Sequence, residues 1–463
     1  MTPAAKDLWF LPLGGTGEIG MNLNLYGHDG AWLMVDCGIT FEREPGKLRP
    51  RLQMADPAFI AARRDRLVGI VITHAHEDHI GALPLLWQRL KAPVYATPFT
   101  AEVLRRKAAG RGGVIPEPLI ECLPGEALQL GPFDVRWLPI THSTPDTCAL
   151  HLRCAAGSVL HTADWKIDDS PVVGPAFDAR SFEQAGQSHL DAVVCDSTNA
   201  TVAGHSTSEG QVREGLRRAV AQASGRVVVA CFASNVARIA SLAWVARRTG
   251  RYLGLLGRSL ETIHSAALAT HLIERSERTI AQAHLGYLPR EEVLAVATGS
   301  QGEHGAALAR LAAGSHPAME LESGDTVIMS SRVIPGNEDL VERLLEKLRE
   351  RGIIVIDNVD ADAPVHASGH PCADELAAMY RWLKPRLAVP VHGEQRHMQA
   401  NARIARDNGA QLALTGSNGD LFFLAPEPGL RRKAVPVGRL EIDDDGDLRP
   451  VVDSPDKDAG GSA

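Results

Sequence analysis

The chain has 463 residues, 44% hydrophobic and 22% charged, an ordinary globular composition on a length too great for one compact core. No apolar stretch approaches the ~18 residues of a membrane-spanning helix, and the opening MTPAAKDLWFLPLGG lacks the basic and apolar regions of a secretory signal, so a cytoplasmic protein with no membrane partner is expected. Net charge is −8, but the 23 residues from Glu441 hold eight acids and two bases, leaving the body at −2, a balance that neither requires nor forbids a nucleic-acid partner.

Residues 8–41 alternate short apolar runs with Gly/Asn/Asp turns, the rhythm of paired strands. A strand is expected over 67–72, then a helix in IGALPLLWQRL, then further strands in APVYAT, FDVRWLPI, TCALHLRC, GSVLHTAD and LDAVVCDSTN. From about 205 the texture changes. SEGQVREGLRRAVAQA and NVARIASLAWVARRTG have helical periods, while GRVVVACFA and RYLGLLG read as strands. VLAVATGSQGE, DTVIMSS, NEDLVERLLEKLRERG and IIVIDN continue an alternation that produces βαβ units around a buried parallel sheet. The histidine-rich style of the first region returns in VHASGH and LAVPVHGE. One domain inserted into another is therefore expected: 1–204 and 365–430 form the host, 205–364 the insert, and 431–463 a charged, disordered tail.

Seven dispersed cysteines with no C-x-x-C pair read as reduced core thiols, so a metal site here would be built from histidine and carboxylate. GTGEIG at 15–20 satisfies G-x-G-x-x-G, but the β-rich text that follows offers no helix to face a pyrophosphate, and tight turns are expected instead. THAHEDH at 73–79, behind the apolar run LVGIVI, is more specific. His74 and His76 alternate, so both can face one way at the end of an extended strand. Asp78 and His79 lie where the chain turns into a helix and can point to a second centre. Imidazole and carboxylate suit a borderline cation such as Zn²⁺, so one loop supplies four ligands. Further candidates stand at strand ends: His142 in LPITHSTPD, Asp164 in VLHTADW, and His392 in AVPVHGE. The two oxygens of Asp164 would let it bridge a pair of cations.

THAHEDHIGALP, THSTPDT, HTADWK, DSTNA, HASGH and PVHGE, in this order, resemble the motifs of the metallo-β-lactamase fold in its β-CASP branch. With LGGTGEIGMN, ACFASN, TGSQGE and IPGNE added, the chain is similar to the ribonuclease J family over about residues 8–425. The resemblance implies an α/β fold, an αββα sandwich with an inserted β-CASP domain, and two Zn²⁺ per chain. His74, His76 and His142 would hold the first ion and Asp78, His79 and His392 the second, with Asp164 bridging. Asp36 in VDCG and Asp196 in DSTN match acids that support the site. His366, Ser368, the Gly369 backbone and His370 match a phosphate-binding motif, with His370 a candidate for protonating the leaving oxygen. Ser234 and Asn235 match residues facing the RNA channel, although a helix N-cap explains them equally well. The implied activity is hydrolysis of single-stranded RNA to 5′-phosphate products, internally, from the 5′ end, or both. A homo-oligomer, a dimer, is implied too, although the family's further C-terminal domain has no counterpart in the few charged residues after 425. The segment 42–57 departs from the family pattern. A hydrolase of the same fold acting on DNA or on a small molecule is the alternative, and the inserted region and HASGH argue against a small substrate.

Overall fold

The computed structural model describes residues 1–43, 50–111, 113–276, 278–359, 361–443 and 446–451. Two large sheets face each other. One has eight strands, in spatial order Gly429–Arg431, Leu421–Ala425, Leu8–Gly14, Leu23–His28, Ala31–Val35, Leu67–Val71, Val94–Ala96 and Leu119–Glu121. The other has seven, in order Leu412–Ala413, Leu387–Val391, Ala192–Asp196, Gly157–His161, Cys148–Cys154, Phe133–Pro139 and Ala127–Leu130. Strand alternation divides each sheet between two cores. Leu8, Phe10, Tyr26, Val35 and Val71 meet Trp137, Leu150, Val194 and Val389 between the sheets. Their neighbours Leu11, Leu25, Met34 and Ile70 turn outward, onto a cluster that includes Leu83 and Leu86 of the helix Leu83–Leu90. On the far side Val193, Cys195 and Ala388 pack on the helices Ala179–Gln187, Ala373–Leu383 and Gln395–Asp407. Helices therefore cover both outer faces, giving the αββα sandwich that the sequence implies.

The parallel sheet expected from the alternating text is present. Its five strands run Tyr252–Leu256, Val293–Ala297, Val227–Ala230, Thr326–Met329 and Ile354–Ile356, with every neighbouring pair parallel. Both faces are buried, one against Val212, Leu216, Ile239 and Leu260, the other against Leu308, Leu311, Leu344 and Leu348. The strands Ala192–Asp196 and Leu387–Val391, one before the excursion and one after it, pair in parallel, placing Asp196 opposite Val391. The two flanks of the excursion are thus adjacent strands of one sheet.

The tail differs from expectation. Arg439–Ile442 and Leu448–Pro450 form a four-stranded sheet with Arg51–Ala55 and Ile39–Glu42. Strand pairing, together with Arg439 on Gln53 and Glu18, orders residues whose charge alone suggested disorder. Residues 44–49, within the segment that departs from the family pattern, and 452–463 lie outside the described residues.

Candidate metal centre

The site lies where strands of both sheets end. Asp36 follows Ala31–Val35, the 73–79 loop follows Leu67–Val71, His142 follows Phe133–Pro139, Asp164 follows Gly157–His161, and His392 follows Leu387–Val391. Asp36, Ala163 and His392 adopt left-handed backbone conformations, with φ of 64°, 54° and 51°. Each is a strained state for a residue with a side chain, of order 1–3 kcal/mol, and tends to persist where surrounding structure over-determines it. The His392 N–H donates to the Gly15 carbonyl at 2.7 Å, so the GTGEIG turn braces a site residue and opens no helix.

Two ligand sets converge. His74 Nε2, His76 Nδ1 and His142 Nε2 form the first, with neighbours 3.1 and 3.0 Å apart around His76. In the second, Asp78 Oδ2 lies 3.0 Å from His392 Nε2 and 3.5 Å from His79 Nε2. Asp164 stands between them, its Oδ2 3.3 Å from His79 Nε2, 3.7 Å from His74 Nε2 and 3.9 Å from His142 Nε2. Both sets bring their donor atoms within 4.8 Å of one another.

Whether such a cluster fits cations depends on which nitrogens carry protons. The outward hydrogen bonds answer this. His79 Nδ1 donates to Asp36 Oδ2 at 2.7 Å, and His142 Nδ1 to the Gly369 carbonyl at 2.6 Å. His74 Nδ1 meets the Thr73 hydroxyl at 3.0 Å, whose own proton goes to Asp36, and His392 Nδ1 meets the Thr198 hydroxyl at 2.8 Å. With Nδ1 protonated in these four, Nε2 is the nitrogen aimed inward, and in the neutral ring it carries a lone pair. Hydrogen bonds that fix the tautomer and aim the ring in this way are the usual support of a histidine metal ligand. His76 Nε2 meets the Ser143 hydroxyl at 3.3 Å, and its Nδ1 lies about 3 Å from the Nε2 atoms of His74 and His142. Such spacing suits the edge of a coordination polyhedron with metal–nitrogen bonds near ~2 Å. The residues fit a cation pair.

Electrostatics separates the two sets. Burial, reinforced by neighbouring imidazoles, holds His74 and His142 well below the ordinary histidine value and brings His76 down to about 4, so the first set is neutral. In the second set burial works the same way but is outweighed: Asp164, Asp78 and Asp36 raise His79, and Asp164 with Asp78 raises His392 to about 9. Cations entering here would displace protons.

HASGH splits. His370 reaches the site, its Nδ1 2.8 Å from Asp196 Oδ2 and 3.9 Å from Asp164 Oδ2. Burial opposes its charge, but Asp196 and Asp164 raise it above the ordinary value. The Ser368 hydroxyl accepts from Asn199 Nδ2 at 2.8 Å and from the His370 N–H at 3.3 Å, which leaves its own proton for an incoming group. Gly369 must be glycine, because a Cβ there would stand 2.6 Å from the His142 ring.

His366 turns elsewhere. Its Nδ1 is buried without a hydrogen-bond partner, and burial and Arg238 push it down to about 3. It lies beside an interdomain cluster in which buried Arg238 faces Glu209 at 3.3 Å and donates to the Ser330 hydroxyl and the Val365 carbonyl. Asn235 also differs from the channel expectation. Its carboxamide oxygen caps the helix Val236–Thr249 by accepting from the Arg238 N–H at 2.8 Å, and its nitrogen points at Glu209, so the side chain faces the interior. Half-buried Ser234 precedes it.

Sequence reasoning missed Thr73, Thr198 and Asn199, which aim ligands or hold Ser368. All three lie inside or beside motifs that drew attention, and their signal was adjacency to a ligand in THAH and DSTN. Asn22, whose Nδ2 lies 3.1 Å from the Asp78 carbonyl, gave no such signal.

Comparison with known proteins places the chain. Residues 20–193 match the metallo-β-lactamase superfamily, 224–348 the β-CASP domain of ribonuclease J, and 363–412 the Zn-dependent metallo-hydrolase RNA specificity domain. Ribonuclease J of Sinorhizobium meliloti is 44% identical, over 95% of this chain and 78% of that one. The Mycolicibacterium smegmatis and Thermus thermophilus proteins of the same name are 37% and 34% identical, covering 93% and 94% of this chain and 77% of each relative. A crystal structure of an Enterococcus faecalis protein of unknown function shares the fold, with a TM-score of 0.64 at 15% identity, over 90% of this chain and all of that one. Identity of this extent, on a metallo-β-lactamase sandwich with a β-CASP insertion, makes the chain a member of the ribonuclease J family.

Proposed function

We propose that this metal-dependent ribonuclease uses two Zn²⁺ ions to hydrolyse single-stranded RNA, leaving 5′-phosphates. The observation that carries the reading is Asp164, buried between the two sets of candidate ligands, with one oxygen under 4 Å from His74, His79 and His142. His74, His76 and His142 would hold one ion and Asp78, His79 and His392 the other, with Asp164 shared. Bound there, the ions supply Lewis acidity toward the phosphoryl oxygens and an activated water.

The chain's own groups do the rest. Asp36 and Asp196 do not touch substrate. Asp36 fixes His79 and, through Thr73, His74, while Asp196 holds His370 through its Nδ1 and, with Asp164, raises it above the ordinary value. His370 is the group placed to give a proton, either to a phosphoryl oxygen or to the departing 3′-oxygen. The Ser368 hydroxyl and the Gly369 backbone form the adjoining phosphate seat, and Ser234 is retained as a contact on the inserted side. His366 and Asn235 are assigned to the domain junction instead.

The test is cleavage of single-stranded RNA carrying a 5′-monophosphate by the His76→Ala, Asp78→Ala double variant, with zinc content measured on the same sample. Both turnover and zinc should be lost. Metal-dependent cleavage that persists would overturn the assignment.

A further inference from the structure

Some arginines of the inserted module, such as Arg226, Arg238, Arg290 and Arg351, pair with a carboxylate, and others, Arg332 among them, do not among the described residues. Arg332 is exposed. Its root is nevertheless fixed. Buried Gln301 donates from Nε2 to the Arg332 carbonyl at 2.9 Å, and its Oε1 accepts from the Ile334 N–H at 2.8 Å and from Asn337 Nδ2 at 3.3 Å.

The side chain crosses to the sandwich. Arg332 NH1 donates to Asn199 Oδ1 at 2.9 Å, and the nitrogen of the same carboxamide holds the Ser368 hydroxyl at 2.8 Å and the His370 carbonyl at 3.3 Å. One buried amide thus separates a guanidinium from the serine of the phosphate seat. A guanidinium has five N–H donors, and a single hydrogen bond to Asn199 leaves the others for a planar, charged acceptor. The carboxylates of Asp164 and Asp196 lie 3.9 and 2.8 Å from His370 Nδ1, beside this seat. An anionic backbone approaching it gains from a fixed positive charge at the rim.

We infer that Arg332 is a phosphate-contacting residue of the RNA cleft, supplied by the inserted module and binding the substrate backbone next to the phosphate at Ser368. The inference rests on the single-stranded RNA reading above. A rival role is a latch that only steadies Asn199.

Salt dependence separates the two, because each phosphate neutralised on a single strand contributes about 0.7 to the slope of log affinity against log salt. The measurement is fluorescence anisotropy of the full, zinc-loaded chain with a short phosphorothioate-linked oligoribonucleotide bearing a 5′-monophosphate, which resists hydrolysis, over a KCl series. Arg332→Ala should weaken binding about tenfold, alike for different sequences, and lower the slope by about 0.7. Arg332→Lys should keep the slope and recover only part of the affinity, since ammonium replaces the charge but not the planar fork. With cleavable RNA the loss should fall on KM more than on kcat. An unchanged slope for Arg332→Ala overturns the inference, whether affinity falls, as for a latch, or not. A wild-type chain that fails to bind the oligonucleotide overturns the substrate reading as well.

Discussion

Two buried polar clusters serve opposite ends: Arg, Lys, Glu and Asp meet where the sandwich joins the insertion, and His and Asp meet within the sandwich. In the cluster around Arg238 each charge meets its opposite inside the protein: Arg238 faces Glu209, and Lys166 sits 2.8 Å from Asp168 with both side chains almost fully buried. Asp168 also accepts from the Glu209 N–H at 2.9 Å, and Lys166 donates to the Thr207 carbonyl at 3.0 Å. At the ligand cluster the outward atoms are as well satisfied, but among the described residues the inward nitrogens and carboxylate oxygens meet one another and no arginine or lysine. The first arrangement is a structural joint. The second is complete only with something from outside. What separates a site from a joint is therefore the balance of donors and acceptors, since both clusters are buried.

The comparison can be broken most forcefully at the joint. Arg238→Met strands Glu209 and removes the donor to three further acceptors in the interior, and should destabilise the fold by about 3–5 kcal/mol in urea unfolding, without altering the candidate ligands themselves. Replacing both partners, Arg238→Met with Glu209→Leu, should recover much of that loss, because no lone buried charge is then left. If the single variant is as stable as wild type, the joint is not what its geometry says. At the ligand cluster, chelation should abolish cleavage and lower the unfolding free energy by about 2.7 kcal/mol for a site that had been held at a hundredfold over its dissociation constant. The joint predicts no such sensitivity.

A finer cut is Asp36→Asn, which leaves the seven candidate ligands in place but removes the charge and one of the two oxygens that hold Thr73 and His79. Metal affinity should fall by about 10–100-fold in a competition titration with a zinc indicator, while the urea midpoint of the metal-free chain moves little. The smallest effect expected is for Asn235→Ala, a lost helix cap of about 1 kcal/mol with no change in RNA affinity. A clear drop in RNA binding would restore Asn235 to the channel and redraw the border between joint and site.

Much of the ligand cluster was legible in the sequence because it sits at strand ends. An apolar run fixes the strand, the strand fixes the direction of alternate side chains, and histidines placed just beyond can only project from the rim. His142, Asp164 and His392 each follow such a run. The division of HASGH was not legible, because His366 and His370 differ only in which side of the chain's return into the sandwich they face, and nothing local records that. Asn199 and Arg332 meet across 133 positions, and neither has a pattern of its own. The ordered part of the tail was hidden for another reason: its charge is typical of disorder, while its strands exist through partners near residues 39–55.

The adjacency of the strands Ala192–Asp196 and Leu387–Val391 bears on the birth of the protein. Synthesis proceeds from the N-terminus, so His74, His76, Asp78, His79, His142 and Asp164 all emerge long before His392. Until the whole insertion has been made and its return strand has docked, the growing polypeptide lacks His392 and the neighbour of the strand that ends in Asp196. A chain assembled in this order completes its cluster of histidines and carboxylates only late in synthesis.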